Sequence, residues 1–258
     1  MLTIHSKVAT LAVAIASAVL AAGCGPSTEA VCQGPRESLV VVAFTSTSDL
    51  ATSRATGGRV VKQVAGRVAR SCGDLWVGVV DNLPESALVL HRIQLRSKQK
   101  TVPNRHPFVL RLEHRGIGFA KVNLLDPLAH AAPTSGSPFL GAAAKVGQEL
   151  AAHNAGPVTL VIIGDGIVVE QAPSGTMVDF RNEGVPQQRL DEFVPLLKGL
   201  KGSCVMLVGQ GIKSRLPAQR VRAARTMLGS TFEKAGVGFV PTSSPDLPAG
   251  CGGTATSS

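Results

Sequence analysis

Leu39-Val40-Val41-Val42-Ala43-Phe44-Thr45-Ser46-Thr47-Ser48-Asp49 is an apolar run that stops abruptly in hydroxyls and a carboxylate. Two later stretches repeat the pattern. Val158-Thr159-Leu160-Val161-Ile162-Ile163 runs into Gly164-Asp165-Gly166, and Cys204-Val205-Met206-Leu207-Val208 runs into Gly209-Gln210-Gly211. Short β-branched runs without polar alternation read as central strands of a parallel sheet covered on both faces. Ligands of open α/β sheets sit beyond the carboxyl ends of such strands, where strand order reverses. The oxygen-rich tips are therefore the expected place for binding or chemistry.

Working outward, Val60, Val61, Val64, Ala65, Val68, Ala69 and Cys72 recur at helical spacing after the first strand, and Gly57-Gly58 predicts a late helix start. Leu75 to Val80 reads as a second strand. Leu88 to Leu95 is more amphipathic and reads as a third, at the sheet edge. The stretch from His91 to Arg115 holds seven Arg or Lys, three histidines and a single acid, Glu113. Its main reading is a solvated edge or hairpin with an extended piece at Phe108 to Glu113; a polyanion or anionic-lipid surface is the other. Pro133 to Pro138 is a turn-rich loop before a helix carrying Leu140, Ala143, Ala144, Gly147, Leu150 and Ala151, which Asn154-Ala155-Gly156-Pro157 stops. Pro186 opens a helix with Leu190, Phe193, Val194, Leu197 and Leu200 inward. Pro217 opens another, with Val221, Ala224, Leu228, Phe232 and Ala235 inward and Gly236 as its cap. Gly238 to Val240 is a last short strand. Alternating strands and helices predict an α/β fold: a doubly wound, mostly parallel sheet with helices on both faces and one antiparallel edge strand.

The first residues address the compartment. Lys7 precedes the apolar stretch from Val8 to Ala22, too short to span a bilayer comfortably and apt for a signal-peptide core. Leu20-Ala21-Ala22-Gly23-Cys24 resembles a bacterial lipobox, which implies lipidation (palmitate among the acyl chains) of Cys24 and an extracytoplasmic, envelope-bound lipoprotein. Leucine is displaced by one position relative to that pattern. The expected organisation is a signal peptide at 1–23, a tether at 24–37, one domain at 38–241 and a loose tail at 242–258. Setting aside residues 1–23, which carry Lys7 and no acid, 25 basic and 17 acidic side chains remain, a formal charge of +8. That balance favours acidic partners or anionic headgroups. Aromatics at 3% and no tyrosine argue against stacking on single-stranded nucleic acid.

Beyond Cys24, four cysteines remain. An even number in an exported chain predicts two disulfides, for which three connectivities exist. Cys32 precedes the first strand and Cys72 ends the helix returning beside it, so both belong at one pole. Cys204 opens a later strand at that pole, and Cys251 lies in the tail. Cys32–Cys72 with Cys204–Cys251 is the preferred pairing. The spacings hold no zinc motif.

In order, a strand with a hydroxyl/aspartate tip, a helix, Asp74-Leu75-Trp76-Val77-Gly78-Val79-Val80, Gly136-Ser137-Pro138 before an alanine-rich helix, Ile163-Gly164-Asp165-Gly166 and Val208-Gly209-Gln210-Gly211 resemble a von Willebrand factor type A domain over roughly residues 38–241. The resemblance implies an adhesion or scaffold module with a divalent metal, usually magnesium, at the strand tips, its shell often completed by a partner protein's carboxylate. Thr45 stands where the family has its first aspartate, Thr47 at the first serine, Asp49 at the second, Ser137 at the loop threonine and Asp165 at the last aspartate. Magnesium favours anionic oxygens in tight octahedral geometry, and Thr45 offers a neutral one, so the site is degenerate and its metal weak.

Two rivals use other features. A hydrolase of esters or phosphates would draw on Asp165 with Ser137 or Thr45. The chain has no G-x-S-x-G, P-loop or H-E-x-x-H motif, and His153 falls at the far end of its helix. A solute-binding lipoprotein normally needs two lobes. The reading is a non-enzymatic protein-binding module.

Overall fold

The computed structural model describes residues 29–80, 88–134, 136–182, 184–209, 216–244, 246–248 and 251, the side chains of Thr47 and Ser48 excepted. Cys24 and the lipobox lie outside the described residues. Strands β1 (Glu29–Ala30), β2 (Ser38–Phe44), β3 (Asp74–Val80), β4 (His91–Gln94), β5 (Thr101–Val102), β6 (Thr159–Ile163), β7 (Val169–Gln171), β8 (Met177–Asp179), β9 (Cys204–Val208) and β10 (Gly238–Thr242) follow in chain order. Helices α1 (Thr47–Ser71), α2 (His106–Ala120), α3 (Asp126–His130), α4 (Phe139–Ala152), α5 (Gln187–Asp191) and α6 (Ala218–Lys234) connect them. A π-helical turn, Lys121–Leu125, joins α2 to α3, and a 3-10 segment, Leu196–Leu200, precedes β9.

The central sheet has the order β10-β9-β6-β2-β3-β4, parallel except for the antiparallel edge strand β4. Numbering its strands by their turn in the chain gives 3-2-1-4-5-6 from the β4 edge, the doubly wound order whose switch point falls between β2 and β6. Side chains of β2 alternate between two cores. Val40, Val42 and Phe44 join Leu160, Ile162, Val205 and Leu207 under α4 and α6. Leu39, Val41 and Ala43 join Val161, Ile163, Met206 and Val208 under α1 and α2. Both faces are buried, which is why these strands read as continuous apolar runs. Both predicted disulfides form, with Cα–Cα distances of 5.3 Å for Cys32–Cys72 and 5.7 Å for Cys204–Cys251. β10 is the other edge of the sheet and contains Pro241.

Three sequence expectations need correction. Helix α1 begins at Thr47 and passes straight through Gly57-Gly58. At Gly57 a Cβ would lie 3.1 Å from Leu125 Cδ2, so the glycine there admits a neighbouring side chain rather than delaying the helix. Phe108 to Glu113 is helical, within α2, and the segment is no hairpin. Pro107 opens α2, and Val109, Leu112, Gly116 and Ala120 form its buried stripe at helical spacing. The helix expected after Pro186 is broken: α5 ends at Asp191, Pro195 intervenes, and Leu197 and Leu200 are buried from the 3-10 segment. The β7–β8 hairpin, turning at Gly175 (φ +85°), was not foreseen. Among the described residues, no helix is long and apolar enough to cross a membrane.

Candidate functional site

Adjacent parallel pairing of β2 and β6 brings their carboxyl ends side by side, so the segments after Phe44 and Ile163 meet. Thr45 continues β2, its N–H donating to Val80 O at 3.1 Å. Its hydroxyl lies 3.4 Å from the same carbonyl and 3.1 Å from the Thr134 hydroxyl, turned toward β3. Ser46 caps α1: its side chain accepts from Asp49 N–H at 3.3 Å. Asp49 thus occupies the first turn of α1, where the helix dipole favours a carboxylate.

That carboxylate is the centre of the site. Asp49 is fully buried, at 0% exposure. Its Oδ2 accepts from the Ser46 hydroxyl and, at 2.7 Å, from the Ser137 hydroxyl. Its Oδ1 accepts the Asp165 N–H at 2.6 Å. One side chain therefore ties together the tip of β2, the loop entering α4 and the loop leaving β6. Gly164 makes room: a Cβ there would sit 2.7 Å from Asp49 Oδ1. Asp165, 1% exposed, folds its own carboxylate back to accept Ile167 N–H at 2.9 Å, an Asx turn completed by Gly166 at φ +73°. Ser53 closes the inner wall by donating its hydroxyl to Ile163 O at 3.2 Å.

Of the sequence-predicted residues, Asp49, Ser137 and Asp165 come together. Thr45 is adjacent but faces Thr134, and nothing is described for the Thr47 side chain. Sequence reasoning passed over Ser46, although Ser46-x-x-Asp49 has capping-box spacing. It also missed Glu170. Ser137 and Val169 exchange backbone hydrogen bonds at 2.9 and 3.1 Å, placing Glu170 beneath the start of α4. There its two oxygens accept Leu140 N–H at 2.7 Å and Gly141 N–H at 2.8 Å, capping the helix from a neighbouring hairpin. Burial pushes this carboxyl up to about 8, against the pull of the two amides. The available signal was a lone carboxylate after the apolar Ile167-Val168-Val169.

A magnesium shell needs oxygen lone pairs converging on one point. Here the Ser46 and Ser137 hydroxyls aim their protons at Asp49, whose two oxygens take three protein donors, and Thr45 looks away. Among the described side chains these oxygens do not converge on one point for an ion. A resident carboxylate does the joining instead. No cluster of three His, Cys, Asp or Glu suited to a metal occurs among the described residues. His153 lies against the Trp76 ring, centroids 5.2 Å apart, at the opposite end of α4.

No protein-family model and no curated protein matches the chain. Among solved structures, a D319A mutant of the PilB minor pilin of Streptococcus sanguinis is similar at 10% identity and TM-score 0.42, over 83% of this chain and 59% of the pilin. The vWF domain of the type V pili tip protein Mfa5 of Porphyromonas gingivalis is similar at 12% and 0.43, over 83% of this chain and 91% of that one. The human COPII-coat protein Sec24c follows at 12% and 0.44, over 84% of this chain and 32% of its own. This chain thus spans less than two thirds of the pilin and about a third of Sec24c. Strand order, the antiparallel edge strand and the tip loops identify the fold as von Willebrand factor type A-like.

Proposed function

We propose that the chain is a protein-binding module of the cell envelope, of adhesion or scaffold type, held there through lipidated Cys24 and binding without a metal. Two disulfides suit an oxidising, extracytoplasmic setting. The observation that carries the binding mode is the Asp49 carboxylate, which joins the three tip loops that a cation joins in the type A family. Because Asp49, Ser137 and Asp165 are buried, they shape the tip surface, and the partner meets the exposed backbone and side chains around them, Ala132 and Pro133 included.

The test is recovery of crosslinked partners from cells expressing wild type or Asp165→Ala, with EDTA or with magnesium. Recovery from wild type is expected to be the same in both buffers. Asp165→Ala, which frees the β6–β7 loop, is expected to lose most of it while melting within a few degrees of wild type. Loss under EDTA would restore the metal, and full recovery by the variant would move the interface elsewhere.

A further inference from the structure

The pole opposite the strand tips gathers the chain's entry and a group of cations. β1 pairs antiparallel with β5, Glu29 opposite Val102. Val31 N–H donates to Lys100 O at 3.1 Å, and Gln33 N–H to Arg70 O at 3.0 Å. Arg105 holds both segments, donating to Val31 O at 3.0 Å and Arg70 O at 3.3 Å. Cys32–Cys72 locks this ribbon to the end of α1. Around it, Arg70, Arg96, Lys98, Lys100 and His106 are exposed. The acids at this pole are few: Glu29 is exposed, Glu37 pairs with Arg67 at 2.7 Å, and Asp74 is engaged by Arg92 at 2.7 Å and Arg96 at 3.7 Å. Lys98 and Lys100 have no ion-pair partner among the described residues. The structure therefore divides the basic 91–115 stretch: its cations from Arg96 to Arg105 crowd the entry pole, while Arg111 stacks over Phe108 on α2 at 4.2 Å and Arg115 lies further along that helix.

We infer that this basic entry pole is a membrane-facing surface for anionic lipid headgroups. Four residues separate Cys24 from Glu29, and the five Cα-to-Cα steps from one to the other reach at most roughly 18 Å. On the lipid-anchor reading, a tether this short lets the entry ribbon, where Val31 N–H bonds Lys100 O, come down onto the bilayer surface. Exposed lysines beside anionic lipid attract it by an amount that falls off within a Debye length, so only cations this near the anchor act. The consequence is a fixed orientation, with the Asp49 pole pointing away from the membrane and open to partners.

The test uses the chain from residue 24 to 258 with Cys24→Ser, which keeps every described residue and both disulfides and removes acylation from the measurement. It is sedimented with vesicles of phosphatidylcholine, or of phosphatidylcholine with phosphatidylglycerol. Binding is expected only with phosphatidylglycerol and is expected to fall with added salt. Each lysine near the surface is worth roughly a five-fold change in partitioning, so Lys98→Ala/Lys100→Ala should weaken it more than ten-fold. Lys98→Glu/Lys100→Glu should abolish it, and Arg222→Glu/Arg225→Glu on α6, with the same charge change, should leave most of it. Equal binding to both vesicles, retention by Lys98→Glu/Lys100→Glu, or equal loss in the α6 variant would overturn the inference. So would binding to a soluble polyanion with none to vesicles. The mass of residue 24 in wild type recovered from membranes decides the anchor separately.

Discussion

At the scale of single residues, the site is organised by what Asp49 receives. Hydrogen bonds to an ionised acceptor each contribute about 1.5–3 kcal/mol, and leaving buried donors unmatched costs comparably. Asp49→Asn keeps the shape but turns an amide N–H toward at least one of three donors, so a loss of about 2–4 kcal/mol is expected in urea unfolding. Gly164→Ala forces a Cβ onto Asp49 Oδ1 and should cost about 1–3 kcal/mol. In an Asp49→Ala background that cost should largely vanish, and a double-mutant cycle with additive effects would show that the two do not meet. Glu170 supplies the pH dependence. Its unfolded carboxyl ionises near 4.5 and its folded one near 8. Between those values the folded state holds the extra proton, so this group's stabilisation is complete below pH 4.5 and is lost as pH rises toward 8, by up to about 1.4 kcal/mol per unit. Wild type minus Glu170→Gln melting temperature should therefore narrow from pH 5 to pH 8; a constant gap would show that the carboxyl does not titrate there.

At the scale of elements, what was legible depended on whether one signal dominated. The β2, β6 and β9 runs are apolar on both sides, and no other element type matches their length and flanks. Helix α6 was equally plain, with a proline before it and Gly236 after. In helix α2 charge outweighs period in the sequence: its buried stripe of Val109, Leu112, Gly116 and Ala120 is present but obscured by Arg111, Glu113, His114 and Arg115. The β7–β8 hairpin strands are three residues each, too short for alternation to register. The broken helix after Pro186 shows the limit of inward-residue counting. Leu190, Phe193, Leu197 and Leu200 are all buried, yet Gly199 packs so tightly that a Cβ there would lie 2.6 Å from Gly147 O of α4, a close approach no residue pattern reports.

At the scale of the molecule, topology was readable and long-range hydrogen bonding was not. The tip residues Asp49, Ser137 and Asp165 could be grouped from strand order together with the resemblance to the type A family, but a carboxylate taking donors from 88 and 116 residues away depends on side-chain directions that the sequence leaves open. The disulfides were legible because poles follow from chain direction. Cys204–Cys251 spans 47 residues and fastens a tail that Gln63 also holds, donating to Asp246 Oδ1 at 2.9 Å and accepting Leu247 N–H at 2.7 Å. Cys204→Ser/Cys251→Ser is expected to cost about 2–4 kcal/mol and to open the tail to limited proteolysis, whereas unchanged stability and an uncut tail would make the bond incidental. Pro241 has a different reach. Gly238 N–H bonds inward to Ser203 O and Thr242 O accepts Gly209 N–H, so positions 239 and 241 of β10 turn their backbones outward. Proline removes one of those two free donors. The β4 edge is a four-residue strand of exposed His91, Arg92 and Gln94 around Ile93. Both rims of the central sheet are therefore poor templates for an added strand, and copies of the chain at high concentration should stay separate rather than polymerise edge to edge.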